Sequence, residues 1–219
     1  MRLIDLSQPL YHDCPNCPAD AAVKSEVIAD HATDGWRLEL LTMASHTGTH
    51  IDAPLHKIEG GAAIDAIPLE SFVGKAVIAD LRDSDPGRSI EPDRLEQRLA
   101  NHGPLDDRIV LLATGWGGLR AKTEEWLWRS PRLSPDGAAW LVGKKARGVG
   151  IDHYSIGGSR EPDNAAAHEV LLSAGVWIIE DMHFPVEVFT LPQPVQFWAL
   201  PINLKGHSGA FCRPVLVVE

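Results

Sequence analysis

Lys75-Ala-Val-Ile-Ala-Asp-Leu81 is the stretch on which the fold turns, because an apolar run this short, set just after Gly74, reads as a buried strand. Beyond Leu81, helices and strands alternate. Ser89–Asn101 reads as a helix, with Pro92 near its first turn, Leu95 and Leu99 four apart, and Gly103-Pro104 beyond its end. Arg108–Thr114 is a second buried strand. Ser134 can cap a second helix with Pro135 at its first position, running through Ala138, Leu141 and Val142, and Gly148–Asp152 is a third strand. Ala165–Ala174 is a third helix ended by Gly175, and Val176–Glu180 is a β-branched, aromatic run suited to a sheet core. Three strand–helix–strand alternations between about Lys75 and Glu180 predict an α/β protein.

The flanks add strands. Arg2–Leu6, Val23–Ile28 and Trp36–Met43 read as strands before this centre, with Asp34-Gly35 as a turn between the last two. Gln196–Leu204 and Val215–Val218 read as strands after it. Strands therefore outnumber helices, and with neither an internal repeat nor a dividing linker, residues 1–219 are expected to form a single domain.

The formal charge of −10, with no basic run longer than Lys144-Lys145-Ala-Arg147, argues against nucleic acid as a partner. No apolar run approaches a membrane span, and Met1-Arg-Leu-Ile-Asp-Leu-Ser begins as a strand rather than as a secretory signal. Cys14, Cys17 and Cys212 are an odd set, which suits reduced thiols. A cytoplasmic protein without nucleic-acid or membrane partners is expected. Cys14-Pro-Asn-Cys17 has C-x-x-C spacing, but no second pair exists to complete a tetrahedral zinc site.

The chemistry concentrates in His46-Thr-Gly-Thr-His50-Ile-Asp52-Ala-Pro54-Leu-His56. Imidazole and carboxylate donors packed this densely form a ligand set for divalent zinc, manganese or iron. The segment is not the helical zincin pair, which needs a glutamate beside the first histidine; Thr47, Gly48, Thr49 and Ile51 are poor helix formers, and Pro54 pushes Ala53 toward an extended conformation. In an extended chain His50 and Asp52, about 6.6 Å apart, face one side, whereas His46 lies about 13 Å from His50. A bend at Gly48 is therefore required to bring His46 in. His56, beyond the proline, is placed to reach over a metal from a loop as a proton shuttle. A second polar cluster contains His168 and Glu180. Glu180 closes an apolar strand, where a carboxylate needs a compensating cation, hydrogen bonds or solvent, and it is the better partner for His168.

His46-x-Gly-Thr-His50-x-Asp52-x-Pro-x-His56 resembles the signature of the cyclase family of metal-dependent hydrolases, which includes bacterial kynurenine formamidases and isatin hydrolases. The likeness extends to Asp5-Leu-Ser, Gly150-Ile-Asp152-x-x-Ser155, the spacing of His168 and Glu180, and the closing Leu-Pro-Ile-Asn-Leu and Gly-x-x-x-Arg-Pro. It implies a β-rich α/β fold of the swivelling β/β/α type around a barrel-like sheet, assembled as a homodimer or homotetramer. It also implies one or two divalent ions, Zn2+ or Mn2+, with His46, His50, Asp52, His168 and Glu180 as ligands, Asp52 able to bridge, and His56 as the acid/base. Cys17 stands where kynurenine formamidase-like members carry a tryptophan, and Gly157-Gly158 where they carry an aspartate, which points away from formylkynurenine.

The expected reaction is arylformamidase-like cleavage of a small amide, formamide, cyclic imide, lactam or lactone by metal-activated water. Cys17, Trp36 and Phe184 are the candidates to line the site for an aromatic small-molecule substrate, with Trp116, Trp126 and Trp128 as further wall candidates. The alternatives are a metal-assisted dehydratase or cyclase acting on a small organic acid, and a catalytically silent metal-binding protein.

Overall fold

The computed structural model describes residues 1–218. Its strands are β1 (Arg2–Asp5), β2 (Lys24–Ala29), β3 (Leu38–Thr42), β4 (His50–Asp52), β5 (Val73–Asp80), β6 (Ser89–Ile90), β7 (Ile109–Ala113), β8 (Arg132–Leu133), β9 (Gly148–Ile151), β10 (Trp177–Glu180), β11 (Val195–Trp198), β12 (Gly209–Phe211) and β13 (Val215–Val218). The α-helices are α1 (His31–Asp34), α2 (Pro92–Leu99), α3 (Glu124–Trp128), α4 (Pro135–Gly143) and α5 (Asp163–Ser173).

Nine strands form one curled, half-barrel sheet in the order β1-β13-β11-β5-β7-β9-β10-β4-β12, in keeping with the swivelling α/β expectation. Its middle, β5-β7-β9-β10, is parallel, because α2, α4 and α5 each return the chain to the same end of the sheet. The outer strands are antiparallel. Ser134 caps α4 by accepting from Gly137 N at 2.9 Å, as the sequence predicts. The helix expected from Ser89 begins only at Pro92, since Ser89–Ile90 pairs in parallel with β8. The strand expected to reach Leu204 ends at Trp198, where the ladder with β5 and β13 stops.

Period-two alternation gives the sheet a core on each face. Ile109, Leu111 and Ala113 of β7 join one core with Phe72, Trp177, Ile179 and Phe197. Val110 and Leu112 join the other, beneath α2, α4 and α5, with Leu95, Leu141 and Leu171. Among the described residues no helix is long and apolar enough to cross a membrane.

Candidate metal centre

The site is built where β4 meets β10. The register sets Ile51 opposite Ile179 and His50 opposite Glu180. Cross-strand partners share a face, so both isoleucines enter the first core while His50, Asp52 and Glu180 emerge together on the helix side. There α5 crosses and supplies His168, whose Nε2 lies 3.0 Å from Glu180 Oε1. The expected pairing of His168 with Glu180 is present in the geometry.

His46 arrives through the bend. Gly48 has φ +65, and a Cβ there would meet Leu10 Cδ2 at 2.5 Å, so both conformation and space call for glycine. The turn brings His46 Nδ1 to 2.6 Å from Asp52 Oδ1, and its Nε2 lies 2.8 Å from Ser208 Oγ. Gly209 on the neighbouring β12 leaves the room this ring needs, since a Cβ there would lie 2.6 Å from His46 Cε1. Thr49 ties the turn down: its hydroxyl donates to Asp181 O at 2.6 Å and accepts from Gln8 N at 2.8 Å. The buried Arg120–Asp181 ion pair, 2.9 Å, fixes the residue after Glu180.

Three observations fit these groups to a cation. His50 Nδ1 donates to Gly48 O (2.7 Å) and His168 Nδ1 to Asn164 O (2.8 Å), which leaves the Nε2 lone pairs of both rings for a cation held among the carboxylates. Asp52 is buried, its Oδ1 lies 3.2 Å from His50 Nε2, and its Oδ2 has no hydrogen-bond partner although His168 Nε2 is 3.6 Å away. Finally, two groups of ligand atoms lie within 4.8 Å of one another, His46/Asp52/His56 and His50/Asp52/Glu180, and they share Asp52. The electrostatics agree. Burial opposes charge on His50, yet Asp52 and Glu180 pull it up to about 9; burial likewise opposes charge on His168, and Glu180 and Asp52 raise it to about 9. Two buried carboxylates thus demand positive charge from whatever sits among them.

His56 ends a short 3-10 turn begun by Pro54, with its ring centroid 4.2 Å from that of His46 and 5.8 Å from that of His168. Burial holds its pKa below the usual histidine value, with His46 and His168 adding to the effect against the pull of Asp52. It is therefore a neutral imidazole at physiological pH, able to accept a proton.

The centre opens into a cavity of about 310 Å³. Cys17 lines it as anticipated, and burial raises its thiol pKa, so it presents a neutral surface. Two anticipated wall residues lie elsewhere. Trp36 stands 53% exposed just before β3, because the β2–β3 hairpin carries it into solvent, and Phe184 packs into the first core beneath the sheet. Trp116 and Trp126 form a separate buried cluster with Tyr154. Of the aromatic candidates, Trp128 reaches the cavity, joined by Tyr154, whose hydroxyl donates to Leu127 O. Asp20 and Lys57 also face the cavity, and burial raises the Asp20 carboxyl above its usual range. Their only sequence signals were position: Asp20 three residues after Cys17, Lys57 next to His56.

The Cyclase family profile matches residues 4–157. A kynurenine formamidase from Salinibacter ruber (strain DSM 13855 / M31) is 32% identical over 218 residues, covering 99% of this chain and 97% of its own. Isatin hydrolase A from Labrenzia aggregata, solved bound to benzyl benzoate, superposes with a TM-score of 0.85 at 26% identity, covering 100% of this chain and 94% of its own. A potential metal-dependent hydrolase with cyclase activity superposes with a TM-score of 0.78 at 30% identity, covering 98% of this chain and 96% of its own.

Proposed function

Because this chain belongs to the Cyclase family, we propose that it is a metal-dependent hydrolase that opens the C–N bond of a small amide, formamide or cyclic amide. The observation that carries this reading is Asp52: a buried carboxylate shared by two ligand groups, with one oxygen left without a hydrogen-bond donor. His46, His50, Asp52, His168 and Glu180 hold the ion or ions, and their mixed nitrogen and oxygen donors suit Zn2+ or Mn2+. A divalent cation so held lowers the pKa of water toward neutrality and polarises a carbonyl oxygen.

The chain's own groups supply the rest. His56, neutral and beside the ligand cluster, accepts a proton from the attacking water and returns it to the departing nitrogen. Trp128 and Tyr154 offer flat apolar surface to an aromatic ring, and Cys17 and Pro18 complete that side. With cysteine at position 17 the pocket suits a compact bicyclic lactam, or an N-formyl aromatic amine without the amino-acid side chain of formylkynurenine.

The test is hydrolysis of isatin and of N-formyl aromatic amines in oxygen-18 water by protein loaded with Zn2+ or Mn2+. One labelled oxygen per product carboxylate or formate is expected. Complete turnover to unlabelled product would overturn hydrolysis in favour of a dehydratase or cyclase, and no turnover by fully metallated protein would favour a silent metal-binding protein.

A further inference from the structure

Lys57 is the one lysine or arginine among the residues lining the cavity, and the chemistry assigned above leaves it unused. It follows His56 directly in the chain, and the turn that carries both is fixed: Leu55 N donates to Ala62 O at 3.0 Å, Lys57 N to Pro54 O at 3.2 Å and Ile58 N to Pro54 O at 2.9 Å. His56 is half-buried and Lys57 exposed, so the imidazole lies deeper and the ammonium stands at the mouth.

The carboxylates that share this wall do not neutralise it. Glu161 is engaged at the start of α5, where its Oε2 accepts from Ala165 N at 3.0 Å and its Oε1 from Asn164 Nδ2 at 3.3 Å. Glu180 Oε1 accepts from Ile156 N at 2.6 Å and faces His168. Burial pushes the Asp20 carboxyl up, toward its neutral form. Elsewhere Lys122 pairs with Asp13 and Lys144 lies over the Trp140 ring, whereas Lys57 has neither kind of partner among the described residues. Its charge is available to a ligand. A chain of net charge −10 repels anions at long range, so a cation at the mouth is what admits one.

We propose, building on the hydrolase reading above, that Lys57 is a specificity-determining residue that selects substrates carrying a carboxylate on the amine side of the scissile amide. His56 serves the departing nitrogen from within the cavity, so its neighbour nearer the mouth meets the group attached beside that nitrogen. With the aromatic ring against Trp128 and Tyr154, a carboxylate ortho to the nitrogen lies on the Lys57 side and accepts a charge-assisted hydrogen bond from Nζ. An ortho-acylaminobenzoate has this layout.

The test compares ortho-formamidobenzoate with formanilide, the same amide without the carboxylate, as substrates of Zn2+-loaded parent, Lys57→Met and Lys57→Arg. The parent should prefer the acid. In Lys57→Met the ratio of the two kcat/KM values should fall about tenfold or more, chiefly through KM for the acid, the size expected for one charge-assisted hydrogen bond; Lys57→Arg, which keeps the charge, should hold the ratio within about threefold of the parent. Added salt should erode the preference of the parent and leave that of Lys57→Met unchanged. An unaltered ratio in Lys57→Met would overturn the proposal, as would an equal loss on both substrates, which would make Lys57 a prop for the His56 turn. Cleavage of neither substrate would count against the hydrolase reading instead, and calorimetry would then decide the role of Lys57: ortho-aminobenzoate should bind the parent about tenfold or more tighter than Lys57→Met, and equal affinities would contradict it.

Discussion

β7 and β4 are both fully buried strands of one sheet, and they spend burial in opposite ways. β7 turns Ile109, Leu111 and Ala113 to one core and Val110 and Leu112 to the other, so each side chain adds apolar burial. β4 sends Ile51 alone into a core and exposes His50 and Asp52 to an enclosed polar space, where desolvation costs free energy unless a cation or proton compensates. The same ladder geometry therefore stores stability at β7 and binding capacity at β4. Substitutions in the two strands should separate these properties.

Asp52→Ala is the harshest break of that contrast: it removes the carboxylate shared by both ligand groups, and turnover should fall roughly 10⁴-fold or more, together with bound metal. Thermal unfolding of the metal-free variant should occur below that of the metal-free parent, because His46 and His50 lose the buried carboxylate that pairs with them. His56→Ala should cost about 10²–10⁴-fold in kcat with metal content unchanged, as read by elemental analysis beside steady-state kinetics. Loss of metal in that variant would make His56 a ligand, as its grouping with His46 and Asp52 would also permit. Leu111→Ala, in β7, should cost about 2–5 kcal/mol in denaturant unfolding while the folded fraction keeps full metal content. Ser208→Ala removes the partner of His46 Nε2 and should weaken metal binding about 10–100-fold, measured by competition with a chelator.

Legibility from sequence followed the same division. β5, β7 and β10 could be read because a strand buried on both faces is a continuous apolar run, and α4 because Ser134 and Pro135 mark its start. The centre could be read at His46–His56 because four residues of its chemistry, His46, His50, Asp52 and His56, lie within eleven positions and Gly48 supplies the bend. The cavity wall could not. Trp36, Phe184 and Trp128 are all aromatic, and residue type does not reveal that a hairpin lifts the first into solvent, that the second packs under the sheet, and that α3 turns the third toward the ligands. Asp20 is absent from the expected site because a carboxylate in a proline-rich loop reads as surface until the fold lays that loop over the metal ligands.

If catalysis depends on a cation held around Asp52, metal titration of chelator-stripped protein is the most direct test. Hydrolysis of isatin or an N-formyl aromatic amine should rise in proportion to bound Zn2+ or Mn2+ and level off at one or two equivalents per chain, with Asp52→Ala inert throughout. Full hydrolysis by the stripped protein, or by Asp52→Ala, would contradict that dependence.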